Sequence, residues 1–186
     1  MSAVTLKAGG LLGRGAGRRN PRGFTLIEIL IVVVILGILA AIVYPELTSA
    51  SRQAREGVLK DDVRFMREQI LRYRIQHDDI APGYPAANPA GAPSEADFVA
   101  QMTGHTDLKG NTDPNYSDVF KYGPYLTKVP ENPLTGNTKV LVLANGAALP
   151  AADRTQNYGW IFKPETMEFI PNLDGTDLDG KLYTLY

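Results

Sequence analysis

A lone carboxylate, Glu28, stands near the start of an apolar run that continues through Ile29, Leu30, Ile31, Val32, Val33, Val34, Ile35 and Leu36. In hydrocarbon such a group is expensive unless a cation neutralises it, so the chemistry it offers is ion pairing and a partner must be named. A second acidic set, Asp174, Asp177 and Asp179, lies on a loop with Gly175 and Gly180. Closely spaced carboxylates on a glycine-bearing loop can wrap calcium. As an EF-hand the loop is incomplete, because Asp177 and Asp179-Gly180 fit part of the pattern and no glutamate closes it. The alternative is a set of Asx and glycine turns joining Ile170 to the terminal Lys181-Leu182-Tyr183 segment. No residue pattern points to catalysis. The chain has no cysteine, which removes thiol nucleophiles, cysteine-zinc sites and disulfides. His77 and His105 lack partners at ligand spacing, and neither a Gly-x-Ser-x-Gly elbow nor a phosphate-binding glycine loop occurs. Apart from calcium, no cofactor is expected.

The element that must position Glu28 is a helix. Residues 24–44 form a run of 21 residues, which at about 1.5 Å per residue spans roughly 30 Å, the thickness of a bilayer core. Lys7, Arg14, Arg18, Arg19 and Arg22 precede it without any acid, and this favours leaving the N-terminus in the cytoplasm. Arg52, Arg55, Lys60 and Arg64 follow closely on the other side and weaken that asymmetry. A secretory signal would have a shorter apolar region with small residues at a cleavage site after it, whereas Ala40-Ala41-Ile42 matches poorly and Gly23 comes before the run. Any cleavage is therefore expected ahead of the helix.

The segment Gly23-Phe24-Thr25-Leu26-Ile27-Glu28 and the apolar run behind it closely resemble the type IV pilin and pseudopilin superfamily. The resemblance implies a class III prepilin signal: a membrane aspartyl peptidase cuts between Gly23 and Phe24, the new amine of Phe24 is methylated, and a chain of 163 residues remains. A residue without a side chain at 23 lets the peptidase approach the backbone closely. The resemblance also supplies the partner for Glu28, the charged N-terminus of Phe24 in a neighbouring subunit, so that an uncleaved chain cannot complete the pair. Opposite charges offset the desolvation each would suffer alone. The competing reading is a carboxylate at the bilayer edge reaching water, since Glu28 lies only about 6 Å of helix from Phe24. Gly37 and Pro45 stand where pilins place a glycine and a proline bounding a stretch able to lose helix on assembly. Proline lacks an N–H and glycine adds backbone entropy, so the helix is weakest there; close helix packing in the membrane is the alternative role for Gly37.

Beyond Pro45, Leu59, Val63, Met66, Ile70 and Tyr73 recur at spacings of three and four and predict an amphipathic helix ending near 78–81. The mixed-sign charges between them suit a solvated face more than a nucleic-acid surface. Residues 81–137 read as an irregular connection with a short helix at 94–102, capped by Ser94 with Glu95 and Asp97 in its first turn. Within it, the Gly123-Pro124-Tyr125-Leu126 and Pro130, Pro133, Gly136-Asn137 pattern resembles the major pseudopilin of type II secretion. Residues 138–143, 158–162 and 167–170 have strand character, with Lys163-Pro164-Glu165-Thr166 as a turn, and are expected to pair as three antiparallel strands over the helix. Trp160 is expected to anchor the core.

The expected fold is α+β and pilin-like: a long N-terminal helix, half transmembrane and half amphipathic, on a small antiparallel sheet. The expected organisation is a basic leader at 1–23, a membrane and polymerisation helix at 24–44, its amphipathic continuation at 45–80, a variable connection at 81–137, and sheet and C-terminal loop at 138–186. Five of the 19 basic residues and none of the 20 acids precede Phe24, so 14 basic and 20 acidic residues remain, a formal charge of −6. That balance suits a head outside the membrane that does not seek nucleic acid. The resemblance implies a single-pass protein of the bacterial inner membrane with a periplasmic or filament-borne head. Its implied partners are its own copies, minor pseudopilins or pilins, the prepilin peptidase, the lipid bilayer, and a membrane platform with a cytoplasmic ATPase. The function implied is a structural filament subunit of type II secretion; a type IV pilus for adhesion, motility or DNA uptake and a membrane-anchored binding module are the alternatives.

Overall fold

A computed structural model describes residues 23–186; residues 1–22 of the expected leader, with their basic side chains, lie outside the described residues. The chain divides into two compact units, one ending at Pro45 and one spanning Glu46–Tyr186. Helix α1, Leu26–Gln76, contains Pro45.

In the first unit every described side chain is exposed. Its apolar residues thus find no core among the described residues, as expected of a segment whose solvent is lipid or other helices. The helix is long and apolar enough to cross a membrane.

The second unit is built around one face of α1. Leu59, Val63, Met66, Ile70 and Tyr73 are all buried, the stripe their spacing predicts. Past Gln76 the chain turns with Asp78 and Asp79 at φ 50° and 62°, and the Asp79 N–H reaches back to the Arg74 carbonyl at 3.1 Å. That bond closes a Schellman-type end in which aspartate takes the left-handed position usually given to glycine. Helix α2, Glu95–Thr103, starts at Ser94, whose hydroxyl accepts from the Asp97 N–H. In the connection, the buried Gln101 accepts from the Gly83 N–H and donates to the Tyr84 and Gly110 carbonyls. One amide side chain thereby satisfies backbone groups of two loops. A two-residue antiparallel ladder, β1 His105–Thr106 with β2 Thr112–Asp113, also forms there.

The main sheet has the order β3 Val140–Val142, β4 Trp160–Lys163, β5 Glu168–Pro171. β4 and β5 are antiparallel, as expected. β3 and β4 are parallel, with Val140 opposite Trp160, which corrects the all-antiparallel expectation. The segment between β3 and β4 is a long return path, and parallel neighbours need such a crossover where a hairpin needs only a short turn. β4 is covered on both sides: Trp160 and Phe162 join the α1 core, while Ile161 packs with Leu143 and Ile170. Trp160 stacks on Phe169 and donates its Nε1–H to the Pro130 carbonyl at 2.9 Å.

His77 extends the buried stripe by one turn. Its ring stacks on Tyr73 with centroids 3.8 Å apart, Nδ1 lies 2.7 Å from the Tyr73 carbonyl and Nε2 lies 2.9 Å from the Thr106 hydroxyl. A carbonyl can only accept, so the assigned tautomer carries its proton on Nδ1. Burial pushes the imidazole below its ordinary value, against the opposing pull of the Tyr73 carbonyl. The unfolded chain then takes up this proton first, so stability is full above about pH 6.5 and declines as pH falls toward the lowered folded value, by up to about 1.4 kcal/mol per pH unit. Urea midpoints of wild type and His77→Gln across this range are expected to diverge, with the variant flat.

Candidate assembly site

Gly23, Phe24 and Thr25 precede α1 without helical structure, and all three are exposed. The expected scissile bond therefore lies in a stretch whose backbone is open to an external enzyme. Among the described residues a Cβ at Gly23 or Gly37 would meet nothing within 4 Å, so contacts with them require glycine at neither position.

Glu28 has a local role that its spacing foretells only through the Thr-x-x-Glu pattern. Its Oε2 accepts from the Thr25 N–H at 2.9 Å and the Thr25 hydroxyl at 3.0 Å. Thr25 Oγ1 in turn accepts from the Glu28 N–H at 3.2 Å. This is a reciprocal capping box, which satisfies donors left without a partner at the helix start. Oε1 makes no hydrogen bond among the described residues, so part of the acceptor capacity of this exposed carboxylate is left over. One residue can thus close its own helix and still receive a cation. Thr25 is the positioning residue that sequence reasoning missed.

The C-terminal acids sit on the second unit and do not converge. Among the described residues no group of three or more histidine, cysteine or acidic side chains is placed to hold a metal. Asp174 is exposed and paired with Arg154, which holds its carboxyl below the usual range. Asp177 is only 4% exposed. Its Oδ2 accepts from the Tyr186 hydroxyl at 2.7 Å and from Lys60 Nζ at 3.0 Å; its Oδ1 accepts from the N–H groups of Lys181 and Asp179 at 2.8 and 3.0 Å. The Tyr186 hydroxyl first, then Lys60, hold this carboxyl far below the ordinary value. Both oxygens are thus engaged by donors of the protein, an arrangement that does not fit calcium, and the expected set Asp174, Asp177 and Asp179 is not brought together.

A second buried acid lies one turn ahead of Lys60 on α1. Glu56 Oε1 accepts from Tyr183 at 2.7 Å and from Arg52 Nε at 2.9 Å, while Oε2 accepts from the Leu178 N–H at 3.2 Å. Burial raises its proton affinity, but the Tyr183, Leu178 and Arg52 donors outweigh that and the net direction is down. Arg52, Glu56 and Lys60 recur every four residues, so they share one face of α1. That face meets the C-terminal loop and the 3₁₀ turn Tyr183–Leu185.

Residues 18–44 match the family described as prokaryotic N-terminal methylation motif. The chain is 47% identical over 116 residues to the type II secretion system core protein G of Pseudomonas aeruginosa, covering 62% of this chain and 70% of that relative. Identity to the core protein G of Dickeya chrysanthemi is 37% over 59 residues, covering 32% of this chain and 39% of the relative. Identity to the type IV wide pilus major component PilA4 of Thermus thermophilus is 49% over 51 residues, covering 25% of this chain and 39% of that relative. No solved structure matches.

Proposed function

Because the chain belongs to the type II secretion system core protein G family, we propose that it is a pseudopilin, a structural subunit that assembles with related pilins into a filament serving protein export. The observation carrying this is the 47% identity to a core protein G across 116 residues, which extends well beyond the methylation motif at 18–44. It is a single-pass inner-membrane protein before assembly. In the finer reading the N-terminus faces the cytoplasm, the prepilin peptidase cuts between Gly23 and Phe24, and the amine of Phe24 is methylated. The unit Glu46–Tyr186 then lies on the periplasmic side.

Assembly follows from the site. Glu28, held by Thr25, presents a carboxylate to the Phe24 ammonium of the next subunit, and burying the apolar helix against its neighbours replaces lipid contacts with close packing. Gly37 and Pro45 mark the weak stretch that adjusts as the subunit leaves the bilayer. The chain carries no nucleotide-binding motif, so a membrane platform with a cytoplasmic ATPase drives addition at the base, and minor pseudopilins complete the filament. The 49% identity to a wide pilus component over 51 residues favours a type IV pilus as the second reading. Deleting the chain in its host separates the two: loss of exported proteins from the medium with surface filaments retained supports the pseudopilus, and loss of surface filaments with export intact supports the pilus.

A further inference from the structure

We infer that the ammonium of Lys60 takes the place of a divalent cation in closing the C-terminal loop, so that the head is fastened to α1 by protein charges and folds independently of calcium. Three observations carry this. First, the loop does have the feature that a cation site needs, a buried carboxylate at Asp177, and four protein donors already engage its two oxygens: Lys60, Tyr186 and two backbone N–H groups. A calcium ion at Asp177 would have to displace an ammonium and turn aside a hydroxyl and two N–H groups, none of which can ligate it through the hydrogens they now point at the carboxylate. Second, Asp174, three residues earlier in the chain, is drawn to Arg154 on a different loop. Third, the neighbouring buried acid Glu56 repeats the arrangement with Arg52, Tyr183 and the Leu178 N–H. Each carboxylate is matched by one cation of α1 and one tyrosine from the last four residues of the chain. The Tyr183 and Tyr186 rings also meet edge to face, with centroids 5.6 Å apart, which ties the two halves into one clamp.

The clamp explains why a loop rich in acids and glycines holds a defined path. Lys60 Nζ also lies 4.8 Å from the centre of the Tyr186 ring, adding a cation–π contact that a hydrated divalent ion would not reproduce. Removing Lys60 leaves Asp177 buried without its counter-charge, the situation in which breaking a pair is most damaging.

The test uses the full chain in detergent, with thermal unfolding in excess EDTA and in millimolar calcium chloride, and limited proteolysis read by mass spectrometry. Wild type is expected to unfold at the same temperature in both, with the segment 172–186 equally protected. A calcium-dependent rise in melting temperature, or protection of that segment only when calcium is present, overturns the inference. Lys60→Met is expected to lower the melting temperature by roughly 10 °C and to expose 172–186 to cleavage first, with calcium restoring neither. Lys60→Arg, which keeps the charge, retains most of the protection. An unchanged melting temperature in Lys60→Met contradicts the inference, as does its rescue by calcium.

Discussion

Glu28→Gln is expected to abolish filament formation while leaving cleavage between Gly23 and Phe24 and folding of the head intact. The carboxamide keeps an oxygen able to accept from Thr25, so the helix start retains most of its capping. It loses the charge that, in the proposed assembly, pairs with the ammonium of the neighbouring Phe24. Removing one partner of such a pair weakens association at every subunit contact. A polymer repeats that loss along its whole length. Cross-linking of membrane-extracted protein checks it, with ladders of multimers in wild type and monomer alone in the variant. Thr25→Ala is the control for the local role: it removes the cap at a cost of about 1 kcal/mol and keeps the charge, so multimers persist at reduced yield.

Trp160→Ala is expected to be the most destabilising single change in the head. The side chain is fully buried, stacks on Phe169 and bonds the Pro130 carbonyl, joining β4 both to β5 and to the proline-rich connection. Truncating a buried tryptophan costs about 3–5 kcal/mol, against a net stability of about 5–15 kcal/mol for an ordinary domain. Urea unfolding followed by circular dichroism is expected to show a lower midpoint, displaced by that free energy divided by the slope, with the slope unchanged. Trp160→Phe retains ring packing but orphans the Pro130 carbonyl, and is expected to lose about 1–3 kcal/mol.

Periodicity made the buried face of α1 readable, because a helix in contact with a sheet repeats its apolar residues at the helical period whatever the sheet's topology. His77 continues that stripe four residues past Tyr73 and was legible on the same rule; as a lone histidine it drew attention only as a metal ligand. The direction of β3 was not readable. Alternation and β-branched residues mark a strand but carry no information on which neighbour it pairs with, and the path between β3 and β4 decides that. The clamp was hidden for a related reason: Lys60 and Asp177 lie 117 residues apart, and a charge on a helix surface looks the same in sequence whether it meets water or a buried acid. The acids of the terminal loop therefore resembled a cation site when their cation was already in the chain. At Glu28 the opposite occurred. The cost of a carboxylate in an apolar run pointed to a partner in another subunit, and that reading overshadowed the Thr-x-x-Glu pattern that gives the same side chain its place within its own helix.

In the proposed function the chain becomes an assembly-competent subunit only when Phe24 becomes its first residue. Mass spectrometry of the N-terminal peptide from membrane-extracted protein tests it most directly, comparing wild type with Gly23→Leu. The account predicts a mature wild-type chain beginning at methylated Phe24 and an uncut variant. A wild-type protein that retains the peptide bond between Gly23 and Phe24 would contradict it and leave the apolar half of α1 as a plain membrane anchor.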